Sequence, residues 1–240
     1  MPLPKIDLPT YKLTIPSSQE VITVRPFSVK EEKLLLIAME SKDFDEIINT
    51  VKQIIGNCLI KGKVDIDKLP FFDIDYMFVF LRAKSVGDVV EVNLTCNNIV
   101  DDKICGNVFE TELDIGKCEV VHTEGITNDI KLSGHQGVKM RYPAYTTMKR
   151  MEQSNAVDMK TNIIVNSIDY IYDKDGMYSW KDYSKEELKE FVEGLTEENY
   201  NKLQDFVDNF PKINAILEST CDRCGFHHKV RYSDFYDFFT

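Results

Sequence analysis

The sequence predicts an α+β fold: an N-terminal β-hairpin and helices, then a β module split into two distant halves, with a helical block carried between those halves. Three observations lead there. Apolar residues keep a helical period from Ser28 as far as Gly87, and the period changes to two from Asp88. One flanking pattern, Thr-Cys then Cys-Gly between extended runs, also occurs twice. It surrounds Cys96 and Cys105 in EVNLTCNNIVDDKICGNVFETELDI, and Cys221 and Cys224 in AILESTCDRCGFHHKVRYSDF. The expected segments are a hairpin and helical region at 1–87, a first β half with short strands at 88–142, an acidic helical block at 143–212, and a second β half with an aromatic tail at 213–240.

Residues 11–27 read as two short strands around the turn PSSQ. Ser28 to Glu31 is a capping box, so a helix follows, and its apolar run Leu34, Leu35, Leu36, Ile37 and Met39 is broad enough for burial on more than one side. Asp43 to Glu46 repeats the start signal. Ile47, Ile48, Val51, Ile54, Ile55 and Cys58 then share one helical face, the mark of a core helix. Tyr76, Met77, Phe78, Phe80 and Leu81 suggest a third helix ending near Gly87.

VVEVNLTC and NVFETELDI alternate as strands, and 119–142 continues as short strands broken at Gly125, Asn128 and Ser133-Gly134. His122 and His135 fall there without ligand spacing and read as surface or turn residues. From Pro143 the pattern is mainly helical. One or two helices are expected over Met148 to Ile171, with a stripe of Ile163, Ile164, Ser167, Ile168 and Ile171. Residues 173–176, DKDG, lack the remaining ligands of a calcium loop and read as a turn. Ser184 to Glu187 is a second capping box, Gly194 a stop, and Thr196 an N-cap for a helix that halts before Pro211.

The two cysteine pairs look like halves of one site. In a zinc ribbon each half is a hairpin whose tip presents two thiolates, and the residue after the second cysteine is a glycine, here Gly106 and Gly225. Cys96, Cys105, Cys221 and Cys224 are therefore the candidate ligands of one structural zinc per chain. The second pair has the usual two-residue spacing, whereas the first has eight residues between its cysteines. Two other readings exist: reduced thiols filling apolar gaps, and a catalytic thiol pair. Cys58 and Cys118 are left for the core.

With 43% hydrophobic residues in 240, the chain can bury a real core. Its start carries no secretory signal pattern, no apolar run is long enough to span a bilayer, and a cytoplasmic setting that keeps thiols reduced is expected. The net charge of -11 opposes nucleic acid, because phosphate affinity comes largely from Lys and Arg displacing counterions. The one basic stretch near the second cysteine pair, HHKVR at 227–231, would be divided between two faces by strand alternation. Phe235, Tyr236, Phe238 and Phe239 in the tail need burial, against the protein itself or against a partner. No phosphate-binding loop, nucleophile elbow, zincin or dinucleotide fingerprint occurs, and a zinc with four thiolates has no position for a reacting water, so no enzymatic activity is expected.

Three stretches, VRPFSVKEEKLLLIAMES, DIDYMFVFLRAKSVGDVVEVNLTC and CDRCGFHHKVRYSDFYDFF, together resemble the baseplate hub protein family of T-even-like contractile-tailed bacteriophages. The R-P-F-x-V-K-E-E-K-x-L-L and LRAKSVG elements carry most of the likeness. The resemblance implies a non-enzymatic late viral protein required to assemble the central hub of the tail baseplate. Its partners would be other phage hub or tail proteins, with no nucleic acid, membrane or small-molecule substrate. It would work in the host cytoplasm during assembly, either staying in the virion tail or serving as an assembly chaperone for the hub or tape-measure protein and leaving. The rivals from other classes are a zinc-ribbon module that binds nucleic acid or the transcription machinery, and a zinc hydrolase.

Overall fold

The structure, a computed structural model, describes residues 7–144 and 156–233. They fall into two compact units. The first takes the chain up to Ile66, Phe72–Val121 and everything from Lys212 on; the second takes Asp67–Phe71 and His122–Pro211. Both mix helices and strands, as expected of an α+β chain.

The first unit opens with β1 (Tyr11–Thr14) and β2 (Val21–Val24), antiparallel around the PSSQ turn, where Gln19 adopts a left-handed φ of 60° and its N–H donates to the Ile15 carbonyl at 2.8 Å. A third strand, β3 (Leu59–Lys61), pairs with β2. Between them run α1 (Val29–Ser41) and α2 (Phe44–Cys58). Ser28 closes the capping box on α1, its backbone N–H and its hydroxyl both donating to Glu31 Oε2, at 2.6 and 2.9 Å. Glu31 also receives Arg25 Nη2 at 2.7 Å. The apolar face of α2 is buried from Ile47 to Cys58. On α1 the expectation of burial on several sides fails: Leu35 and Ala38 are buried, but Leu36 and Ile37 are 53% and 61% exposed. Composition measures how apolar a helix is, while its neighbours decide which faces are covered.

The helix α3 (Phe71–Val86) is buried on several faces, covering Phe72, Ile74, Met77, Phe78, Val79 and Leu81 together with Asp73 and Asp75, and it stops at Gly87, whose φ of 139° no side chain would favour. The β module follows. Its first half is β4 (Val89–Thr95), a miniature hairpin of β5 (Ile99–Val100) and β6 (Lys103–Ile104), and β7 (Val108–Asp114), which pairs with β4 along its length. After a 3-10 turn at Ile115–Lys117 comes β8 (Glu119–Val121). The second half is β13 (Lys212–Thr220) and β14 (His227–Tyr232), antiparallel, with β8 on the other edge of β13. The chain thus leaves this unit at Val121 and re-enters at Lys212, and those two residues are register partners.

The second unit is a four-stranded antiparallel sheet ordered β12-β11-β10-β9, made of β9 (Asp129–Ser133), β10 (Gln136–Met140), β11 (Ile168–Tyr172) and β12 (Met177–Ser179), with the helices α4 (Ala156–Ser167), α5 (Lys185–Glu193) and α6 (Glu197–Asp208). Its core joins Val138 and Met140 of the sheet to Ile164, Leu188, Val192, Leu203 and Phe206 of the helices. The block from Pro143 is accordingly less helical than expected. The stripe splits at Ser167: Ile163 and Ile164 belong to α4, while Ile168 and Ile171 belong to a strand paired with β10. The β-branched and aromatic run IDYIY suits a pleated surface once a neighbouring strand exists, and its partners in that strand lie 28 to 35 positions away in sequence. Residues 173–176 are a turn as expected, with Asp173 Oδ1 accepting from the N–H groups of Asp175 and Gly176. Ser184 and Thr196 cap α5 and α6.

Candidate metal centre

Thr95 and Thr220 end β4 and β13, and each strand delivers a cysteine into a tight loop. In the second half, the Cys221 N–H donates to the Phe226 carbonyl at 2.9 Å and the Gly225 N–H donates back to the Cys221 carbonyl at 2.9 Å. The first half repeats both bonds: Cys96 N–H to the Asn107 carbonyl at 2.8 Å, and Gly106 N–H to the Cys96 carbonyl at 2.9 Å. Gly106 and Gly225 share the left-handed conformation, with φ of 62° and 72°. The eight-residue gap is resolved by one further bond, from the Cys105 N–H to the Asn98 carbonyl at 2.8 Å. That bond closes the base of the β5-β6 hairpin. Residues 99–104 loop out, and what remains is Cys-Asn-Asn-Cys-Gly, the spacing of the second half.

The two loops face each other and bring the four candidate cysteines together, with all four sulfurs within 4.8 Å of one another. Cys96 Sγ lies 3.6 Å from Cys224 Sγ, and Cys105 Sγ lies 4.0 Å from Cys221 Sγ. These separations exclude disulfides, whose sulfurs sit ~2.05 Å apart. An ion ~2.3 Å from four tetrahedral thiolates would hold them about 3.8 Å apart, so the cluster could hold a metal ion. Cys96 and Cys221 are buried, with Leu94 and Phe109 in the same cluster. Cys105 and Cys224 are partly exposed.

Amide donors address the sulfurs. Asn98 Nδ2 lies 3.7 Å from Cys224 Sγ, and Asn107 Nδ2 lies 3.6 Å from Cys221 Sγ; each comes from one loop and reaches a sulfur of the other. Asn107 also donates to Asp222, and Arg223 Nη1 donates to the Cys105 carbonyl at 3.1 Å. Burial pushes the Cys221 thiol up, but the N–H groups of Cys224 and Arg223, aimed at its sulfur, and the neighbouring thiols bring it down to about 6. At Cys96 burial is also the largest effect, and there the thiol stays raised, to about 12.

The asparagines were not among the sequence candidates. Both belong to the first loop, two residues after Cys96 and one after Gly106, where the second loop has Arg223 and Phe226, and those positions become readable once residues 99–104 are set aside. Cys58 is buried, its thiol pushed up to about 12 by desolvation, and belongs to the core as expected. Cys118 is only partly buried. His122 and His135 lie on the surface, outside the cluster. In β14 strand alternation divides the stretch as expected: His227, Lys229 and Arg231 take the exposed face and His228 and Val230 the half-buried one, and Lys229 Nζ is paired with Glu218 at 2.7 Å. The tail residues Phe235, Tyr236, Phe238 and Phe239 lie outside the described residues. Among the described residues no helix is long and apolar enough to cross a membrane.

Two distant β-hairpins of this α+β protein bring together a four-thiol cluster that could hold a metal ion. The model of the family described as T4 bacteriophage base plate protein matches residues 8–240, and the chain belongs to that family: it is a structural protein of the phage tail. No curated protein and no solved structure matches it.

Proposed function

We propose that the chain is a non-enzymatic component needed to build the central hub of the tail baseplate, acting through contacts with other tail proteins. Membership of the baseplate family over nearly the whole chain carries this reading. The four-thiol centre supports it, because a metal with four sulfur ligands has no open position and serves to fix the shape of a binding surface. Zinc is the ion proposed, one per chain, on Cys96, Cys105, Cys221 and Cys224: it takes tetrahedral thiolates without redox chemistry. The net charge of -11 favours protein partners with basic faces over nucleic acid. The aromatic residues Phe235, Tyr236, Phe238 and Phe239 are proposed as a further contact; deleting 235–240 should weaken association with hub proteins while leaving the unfolding midpoint in place.

The deciding experiment is disruption of the gene in the phage, with electron microscopy of the tail structures that form. Baseplates that lack a hub are expected, and baseplates with intact hubs would refute the role. Mass spectrometry of purified particles then separates a resident hub component from an assembly chaperone that leaves before maturation.

A further inference from the structure

The hairpin Ile99 to Ile104 is not needed to shape the loop that carries it, since the second loop makes the same bonds without one. It is also apolar in the wrong place for a core. Ile99 and Ile104 are cross-strand partners and are 66% and 68% exposed, and Val100 is 43% exposed. A two-residue ladder is marginal by itself in water. This one is held from below, because the Asn98 to Cys105 bond at its base is flanked by two of the four clustered cysteines. Its turn residues Asp101 and Asp102 both take left-handed φ, 49° and 60°, the geometry of a tight two-residue hairpin turn, and both carboxylates point to solvent with Lys103 beside them.

The strands below the hairpin carry the same sign. On the exposed face of β4 and β7, Glu91 is the register partner of Glu112 and Asn93 of Glu110. Like charges directly opposed weaken a ladder, so this face is acidic against the interest of the hairpin's own stability.

We propose that the Ile99 to Ile104 hairpin is a docking finger, which seats its isoleucines in an apolar cleft with basic side chains around it on a second tail protein. The apolar tip supplies the burial. Asp101 and Asp102 at the end, and Glu91, Glu110 and Glu112 along the stem, set the charge of the partner's rim and disfavour a second copy of this chain as occupant, whose matching face would be equally acidic. The clamped base removes the ordering cost that a free loop of this composition would bring to binding. The proposal rests on the baseplate reading, and its test separates the two.

The test uses full-length protein and baseplate intermediates isolated from an infection in which this gene is disrupted. Three variants are compared with the natural chain: Ile99→Ser with Ile104→Ser, Asp101→Lys with Asp102→Lys, and excision of 99–104 joining Asn98 to Cys105. Unchanged metal content and unfolding midpoint establish that each variant folds. The natural chain is expected to bind the intermediates with an affinity that falls as salt rises, and the serine and excision variants at least about tenfold more weakly, as loss of two buried isoleucines requires. The lysine variant should lose affinity most at low salt. Equal binding by the natural chain and the serine variant overturns the finger while leaving the baseplate role standing. A natural chain that binds no intermediate overturns both. Dimers of the natural chain in sedimentation that vanish in the serine variant would assign the hairpin to self-association and also overturn the proposal.

Discussion

The N–H of Cys105 bonds to the carbonyl of Asn98 at 2.8 Å, and this one contact makes two cysteines with eight residues between them equivalent to two cysteines with two between. Both loops then share the backbone bonds, the left-handed glycine and the direction in which their sulfurs point. Four thiols from positions more than a hundred residues apart meet because two local shapes are the same.

One zinc per chain is expected in protein purified without added metal, by elemental analysis. Cys221→Ser and Cys224→Ser should each bring the content close to zero, whereas Cys58→Ser and Cys118→Ser should leave it unchanged. Equal zinc in all five proteins, or none in any, would remove the centre.

The glycines give a test of the equivalence of the loops. Around Gly225 a Cβ would meet nothing within 4 Å, and around Gly106 only the Ile104 carbonyl at 3.9 Å, so the cost of alanine is the left-handed backbone alone. Gly106→Ala and Gly225→Ala should each destabilise by about 1 kcal/mol in denaturant titrations, and asparagine at either place by less, since it enters that region more readily. A cost several times larger at one site would show that the loops differ.

Glu31 is 5% exposed, and the Arg25 guanidinium beside it, followed by the bonds from Ser28, brings its carboxyl down to about 2 from an ordinary 4.5. A carboxylate lowered on folding stabilises the fold fully above its unfolded value and loses that contribution as pH falls through the folded one. Stability should therefore decline between pH 4.5 and about 2 partly through this group. Glu31→Gln should cost about 2 kcal/mol at neutral pH and flatten the slope in that window, measured by urea titration across pH.

Chelation should accelerate hydrogen exchange in β4, β7, β13 and β14 together, since a structural zinc contributes on the order of 10 kcal/mol in apparent binding free energy. The helices α1 and α2, which have their own caps and buried faces, should retain more protection, and α5 and α6 should change less than the four strands. Exchange confined to Cys221 through Gly225 would contradict a centre shared by both loops.

Much of this was legible in the sequence where the signal is local. The capping boxes at Ser28 and Ser184, the buried stripe of α2 and the four cysteines each depend on residues a few positions apart. The split at Ser167 was not, because Ile163, Ile164, Ser167, Ile168 and Ile171 satisfy a helical period through a segment that becomes a strand only by pairing with β10. The exposed face of α1 was hidden for the same reason. The hairpin at 99–104 read as an irregular gap because the bond that closes its base leaves no mark on the residues inside it.

The pairing of Val121 with Lys212 has a consequence for the timing of synthesis. A ribosome that has made Cys105 must add 116 residues before Cys221 exists, which at ~5–20 residues per second takes on the order of ten seconds. Through that interval the inserted segment can collapse on its own core while β8 lacks its neighbour and Cys96 and Cys105 wait as open thiols. Closure of the clasp is therefore a late event in the life of each nascent chain, and whatever surface the clasp organises is withheld from partners until then.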